Sequence, residues 1–343
     1  MRTVVEPFAV ALDAPLTTAR GEIAERRGFL LRLGDDPTGL GEATPLTGWT
    51  EGYDACREAL DAATAALHAD DVTEALDAVA DAPAARYAVS LAVADRAARR
   101  EGVPLAESLA DDARDAVPVN ETVGDADPET TADRAAAAVE SGVSCVKLKV
   151  GARSLEGDVA RVRAVREAVG PAVTIRADAN GAWDRETARA AFDAFADLDV
   201  ASVEQPLPAA ALAGHAALRG GPVDVALDES LTEVSVADAL DAADVLVLKP
   251  MVLGGLDKVR AAATAARAAG ATSVVTTTVD ALVARLGAVH VAASLGDVPP
   301  CGLATADLLA ADLGPDPAPV TEGRIRVPAA PGLGVESSEV RPP

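Results

Sequence analysis

Lysine is scarce in this chain. Its 343 residues carry 30 basic side chains, yet only Lys147, Lys149, Lys249 and Lys258 are lysines. Aromatics make up 2%, so Ala and Val must supply most of the packing. Cys56, Cys145 and Cys301 are widely spaced, odd in number and never in a CxxC, which excludes a disulfide framework and a cysteine zinc site. His68, His215 and His290 lack ligand spacing and read as structural or surface residues. No apolar run approaches the ~20 residues that cross a bilayer. Met1–Leu16 carries Glu6 and Asp13 where a secretion signal needs an apolar stretch. These features predict a soluble, cytoplasmic protein. GxxxxGK[ST], HExxH and GxSxG are all missing, so phosphate-loop, zincin and serine-hydrolase chemistries have no support.

What is abundant is acid. The net charge is −24 and the pI about 4.4, which argues against nucleic acid and anionic membranes as partners. Such an excess self-repels in dilute buffer and is tolerated where salt screens it. Acidity with few lysines therefore points to a salt-rich cytoplasm.

Half of the residues are apolar, enough for one large barrel or two ordinary domains. From about residue 118 a pattern repeats: a short β-branched run ends in polar residues, then an Ala/Arg/Glu-rich stretch has helical periodicity. The runs are Val117–Val123, Ser144–Val150, Ala172–Asp178, Val200–Glu204, Val223–Asp228, Val245–Lys249, Thr272–Thr278 and about Pro300–Ala304. Helices are predicted over Thr130–Ser141, Leu155–Val169, Arg185–Leu198, Val236–Ala242, Leu256–Ala269 and Val283–Ser294, several of them ended by Gly142, Gly170 and Gly270. Eight runs with intervening helices favour an α/β fold of the barrel kind over an open sheet. Residues 1–115 read instead as an α+β unit, with strands Arg2–Leu12, Arg27–Leu33 and Gly39–Thr47 and helices Tyr53–Ala66, Val72–Ala80 and Pro83–Glu101. The Pro/Gly-rich end, 315–343, holds one strand-like run, Gly323–Val327, and is expected to pack back on that unit, leaving 116–314 as the barrel.

Three of the four lysines lie at the ends of predicted barrel strands. Arginine cannot lose its proton in a protein, whereas burial can lower a lysine toward neutrality. A chain that otherwise uses arginine therefore keeps lysine where a removable proton is needed. Strand alternation puts Lys147 and Lys149 of KLK on one face. The next three strands end in Asp178, Glu204 and Asp228, and the following one in Lys249. Three acids cannot converge uncompensated. An oxygen-only donor set calls for Mg²⁺, with Mn²⁺ as the alternative. Lysines flanking such an ion suit proton removal alpha to the carboxylate of a small-molecule substrate. Asn180 and Arg176 share the face of Asp178.

The order KxK…D…E…D…K, with GEATPLTGW, DANGAW, EQPL, ALDESL, LVLKPMVLGG, TTTVDALVAR and GLAT, resembles the enolase superfamily in its muconate-cycloisomerase-like branch, and within it the o-succinylbenzoate synthase family. Enolase-type sites use Lys or His bases with Mg²⁺. The resemblance implies a (β/α)7β barrel under an N-terminal capping domain completed by C-terminal residues. It also implies dehydration of a succinyl-hydroxycyclohexadiene carboxylate to o-succinylbenzoate in menaquinone biosynthesis. Asp178, Glu204 and Asp228 would bind Mg²⁺, Lys149 would be the base and return the proton to the departing hydroxide, Lys249 would face the other side of the substrate, and Lys147 would assist. Capping loops 17–21 and 45–49 would bring Arg20 to a carboxylate and Trp49 to an apolar ring. Thr276, Thr277 and Gly302 would offer hydroxyl and backbone donors.

Rival readings remain. An N-acylamino acid racemase, a dipeptide epimerase or a lactone-forming cycloisomerase starts from the same proton abstraction. Cys301–Asp307 lacks the Asp-x-Asp pair that would bind a dipeptide ammonium. A Schiff-base aldolase on Lys249 leaves the acids unexplained, and a binding protein has no need of titratable lysines. The sequence is compatible with a homo-oligomer.

Overall fold

The computed structural model describes residues 1–18 and 21–343. Three antiparallel strands open the chain: β1 (Thr3–Thr18), β2 (Gly21–Leu33) and β3 (Gly39–Ala43), in the order β1-β2-β3. β1 and β2 form a longer ribbon than alternation alone predicts, with a register shift between Ala11 and Leu16. Helices α1 (Tyr53–His68), α2 (Val72–Ala78), α3 (Pro83–Glu101) and α4 (Leu105–Leu109) follow. α3 lies directly on β3. A Cβ on Gly39 or Gly41 would stand 2.1 or 2.0 Å from the carbonyl oxygens of Ala92 and Ala88, so glycine is required for the strand and helix backbones to meet.

The second unit runs β4 (Ala116–Pro118), β5 (Glu121–Val123), α5 (Pro128–Glu140), β6 (Cys145–Lys149), α6 (Leu155–Val169), β7 (Thr174–Asp178), α7 (Arg185–Ala196), β8 (Val200–Glu204), α8 (Leu212–Ala216), β9 (Asp224–Leu227), α9 (Val236–Leu240), β10 (Val245–Leu248), α10 (Pro250–Leu253), α11 (Leu256–Ala268), β11 (Thr272–Val275) and α12 (Leu282–Ala293). Asp127, Ser154, Asp184 and Ser235 start four of these helices, each side chain accepting from the amide three residues on, as N-caps do. β5 to β11 pair in sequence order as a curled parallel sheet of seven strands. Single parallel bridges, Val119 with Cys301 and Thr276 with Gly302, link its two edges. The run at 300–304 is thus two bridging residues, not a full strand. The 117–123 run is broken at Val119–Asn120, where this linkage is made.

Outward strand residues such as Leu148, Ile175, Val203 and Leu246 are fully buried under the helices. Ala226, Val245, Val247 and Val274 form a separate small apolar cluster. α12 is buried along its whole length, as a helix apolar on all sides must be. β12 (Val320–Thr321) and β13 (Arg324–Arg326) form a hairpin that joins β4. Beyond it the chain returns to the first unit: Asp95 accepts from the amide of Leu333, and Arg99 and Arg32 donate to the carbonyls of Val335 and Ser337. Among the described residues no helix is long and apolar enough to cross a membrane. The three cysteines are buried free thiols.

Candidate active site

Because β6, β7, β8 and β9 are adjacent and parallel, their C-terminal ends share one rim. Lys149 lies in register beside Asp178, and Asp178 beside Glu204. Asp228 and Lys249 immediately follow β9 and β10. The acids are buried, at 1% (Asp178), 7% (Glu204) and 4% (Asp228) exposure. Lys147 Nζ lies 3.0 Å from each Glu204 carboxylate oxygen and 3.1 Å from Asp178 Oδ2. Lys149 Nζ donates to Asp178 Oδ2 at 2.7 Å and to Asn180 Oδ1 at 2.8 Å, and Lys249 Nζ to Asp228 Oδ2 at 2.5 Å.

Electrostatics at this rim follow from the pairing. Burial and the neighbouring Asp178 push the Glu204 carboxyl up to about 7, against the pull of Lys147. Burial also raises Asp228, despite Lys249. At Asp178 burial is outweighed by Lys147 and Lys149, which hold its carboxyl below the usual range. Lys147 corrects an expectation. Burial alone would lower its ammonium, but Glu204, Asp178 and Asp228 surround it and hold it above the ordinary lysine value. The neutralising effect of burial on an amine reverses when the burying wall is made of carboxylates.

Burial thus keeps two of the three acids raised even with ammoniums beside them, so their negative charge is costly in this setting. That donor set, all carboxylate oxygen, suits a hard divalent cation. Among the described residues no three His, Cys, Asp or Glu side chains form a ready-made cage. An arriving ion would compete with the lysines for the same oxygens. The fit lies in donor chemistry.

Other expected residues fall into distinct places. Asn180 accepts from Lys149 and donates from Nδ2 to Glu229 Oε1 at 2.9 Å. Trp49 reaches the rim, its ring centroid 3.6 Å from Lys249 Nζ, within range of a cation–π contact. Arg176, Thr276 and Gly302 line an inner cavity of about 20 Å³ with Lys147, Glu204 and Asn120, room for about one water. The Thr276 hydroxyl donates to the Gly302 carbonyl at 2.9 Å, that of Thr277 pairs with Thr305 at 3.1 Å, and Arg176 donates to the Pro300 carbonyl at 2.7 Å. The threonines are thus engaged where the sheet edges meet, and Arg176 ties β7 to the segment before Cys301. Arg20 lies outside the described residues.

Two contributors went unnoticed in sequence, though both sit inside the motifs. Gln205, at φ 43°, accepts through Oε1 from the amides of Asp228 (3.1 Å) and Ser230 (3.2 Å), tying the end of β8 to that of β9. Glu229 holds Asn180, while its Oε2 is buried without a partner.

A curled parallel sheet with acids and lysines at its C-terminal rim defines the class: an α/β fold with a carboxylate–lysine site. Residues 130–340 match the family described as enolase C-terminal domain-like. The chain belongs to the enolase superfamily, in its muconate-cycloisomerase-like branch. It is 41% identical over 184 residues to the o-succinylbenzoate synthase of Thermobifida fusca, covering 52% of this chain and 56% of that one. The chain thus spans about half the length of the curated relatives it matches. Among solved structures, the muconate lactonizing enzyme from Pseudomonas fluorescens superposes with a TM-score of 0.88 at 26% identity, covering 98% of this chain and 96% of that one. The dipeptide epimerase from Enterococcus faecalis, complexed with Mg and L-Leu-L-Tyr, gives 0.87 at 26%, covering 97% and 98%.

Proposed function

We propose that this chain is a Mg²⁺-dependent lyase that dehydrates 2-succinyl-6-hydroxy-2,4-cyclohexadiene-1-carboxylate to o-succinylbenzoate, in the cytoplasm and in menaquinone biosynthesis. The observation that carries the chemistry is the chain of contacts Lys149–Asp178–Lys147–Glu204, with Lys249–Asp228 on the same rim. The 41% identity to an o-succinylbenzoate synthase supports the choice of substrate. Residues 1–115 with 315–343 are read as the capping domain, and 116–314 as a (β/α)7β barrel whose last strand is reduced to Cys301–Gly302.

Asp178, Glu204 and Asp228 would hold the ion. When bound, Mg²⁺ neutralises the substrate carboxylate and makes the adjacent C–H more acidic. Lys149 is the most exposed amine of the three, its side chain 37% exposed against 15% for Lys147 and 11% for Lys249, so it is the one a substrate reaches. Acting as the base, its Nζ takes the α-proton, the C–H electron pair moves into the ring, and the C–O bond breaks. Lys149 then returns the proton to the leaving hydroxide, giving water and the aromatic ring. Lys249, on the opposite wall, offsets negative charge on the carboxylate oxygens, and Lys147 keeps Asp178 and Glu204 in place.

A second reading keeps the same site. Amines on both walls also suit racemisation, and a racemase of N-succinyl-Arg/Lys from Bacillus cereus is 32% identical over 219 residues. Purified protein is to be assayed in molar KCl with Mg²⁺ against the cyclohexadiene and against N-succinylamino acids. Dehydration that a chelator abolishes and Mg²⁺ restores is the expected result. Racemisation without dehydration would replace the proposal.

A further inference from the structure

α12 is preceded at its N-cap position by Ala281, which supplies no side-chain cap of its own. Asp312 accepts from the amide of Leu282 at 2.8 Å, and the rest of the cap comes from 239 residues earlier. Glu42, fully buried at the end of β3, accepts from the amide of Ala281 at 2.8 Å and of Ala284 at 2.9 Å, one bond to each carboxylate oxygen. Thr44 donates to the same carboxylate. Arg26 on β2 then spans both units, donating to the Thr44 carbonyl at 2.7 Å and the Val279 carbonyl at 3.1 Å. Asp280, also fully buried, accepts from Thr278 and leaves Oδ2 without a partner.

Each end of this cluster continues to the rim. After Thr44 the chain turns through Leu46–Thr50 to carry Trp49 over Lys249. The far end of that turn is pinned by Glu51, which accepts from the amides of Ala84 and Ala85 at the start of α3. On the other side, Thr276–Asp280 leads from β11 into the capped helix.

We propose that Glu42 is a positioning residue, whose cap on α12 sets where Trp49 stands over Lys249 and where Thr276–Asp280 lines the rim. The proposal rests on the preceding reading only for its kinetic readout. The chain has two tryptophans, so a Trp183→Phe background makes Trp49 the sole indole. In that background Glu42→Gln turns an NH₂ group toward an amide N–H whichever way it is placed. Trp49 emission should shift red by several nanometres, with iodide quenching up about twofold. KM for the turned-over substrate should rise roughly tenfold, with kcat within about threefold. Leu60→Ala, a core truncation in α1, is the control for general loosening. The same loss of thermal midpoint in both variants, with Trp49 emission unmoved by Glu42→Gln, would reduce Glu42 to a structural cap.

If Glu42→Gln does not fold, hydrogen exchange on the unmodified protein decides. The amides of 43–50 and 279–286 should open together, with protection factors within about threefold of each other. Factors differing more than tenfold would overturn the linkage. Emission and exchange need no substrate, so their failure is distinct from failure of the dehydration assay.

Discussion

Two regions of this molecule bury carboxylates, and they treat them differently. At the strand-end rim Asp178, Glu204 and Asp228 pair with lysines. Elsewhere the buried acids meet arginines: Asp95 with Arg99, Asp158 with Arg161, and Glu42 and Asp280 within reach of the charge of Arg26. Among the described residues, every ion pair away from the rim uses arginine. A guanidinium offers a fork of fixed donors and keeps its charge, which suits architecture. An ammonium is compact and can give up its proton, which suits chemistry. The choice of cation therefore separates the rim proposed to be reactive from the scaffold.

The largest expected effect tests that distinction directly. Lys149→Ala should cut turnover by about 10³-fold or more, within the range of lost general-base catalysis, while the thermal midpoint stays close to that of the parent. Lys149→Arg should be equally inactive although it keeps the charge. Substantial turnover by the arginine variant would erase the contrast.

The converse exchange should spare activity. Arg99 pairs with the fully buried Asp95 at 2.9 Å and donates to Val335 at 2.7 Å. Arg99→Lys should lower stability by about 1–3 kcal/mol, measured by denaturant unfolding, with kcat/KM unchanged within twofold. A tenfold fall in kcat/KM would mean that scaffold and site are not separate.

A further test of stability concerns pH. Burial and Asp280 push the Glu42 carboxyl up to about 8 from 4.5, against the hydrogen bonds of Thr44 and Ala284. A carboxyl raised on folding contributes stability that is full below about 4.5 and is lost as pH rises through about 8. Unfolding free energy should therefore decline across that window, and Glu42→Gln should flatten the decline. Identical pH profiles for the two proteins would refute the assignment. The smallest change is from salt: with a net charge of −24, molar KCl should raise the thermal midpoint by several degrees through screening. Equal midpoints in dilute buffer and KCl would remove the salt-adapted reading.

Much of the second unit was legible in sequence. Val200–Glu204 and Leu155–Val169 occur with the bounds that periodicity predicts, because alternation and capping are local signals. The lysine and acid positions could be read because each ends an apolar run. Closure was not legible. The β-branched stretch 272–278 looks like one strand, yet β11 stops at Val275 and Thr276 turns to bridge Gly302. A Cβ on Gly302 would stand 2.4 Å from Thr276 Oγ1, a reason for glycine that no neighbour in sequence reveals. Gln205 and Glu229 stood within recognised motifs but had no local signal, since their hydrogen bonds reach other strands.

The chain alone determined which residue types end each strand, and hence which carried titratable amines and hard oxygen donors, since both follow from periods of two and 3.6 along the backbone. Only the folded arrangement decided that Lys147 is held charged by the acids around it, that Trp49 meets Lys249, and that Glu42 caps a helix 239 residues away. Coulomb energies and hydrogen bonds depend on distance through space and on burial. Neither quantity is written in residue order.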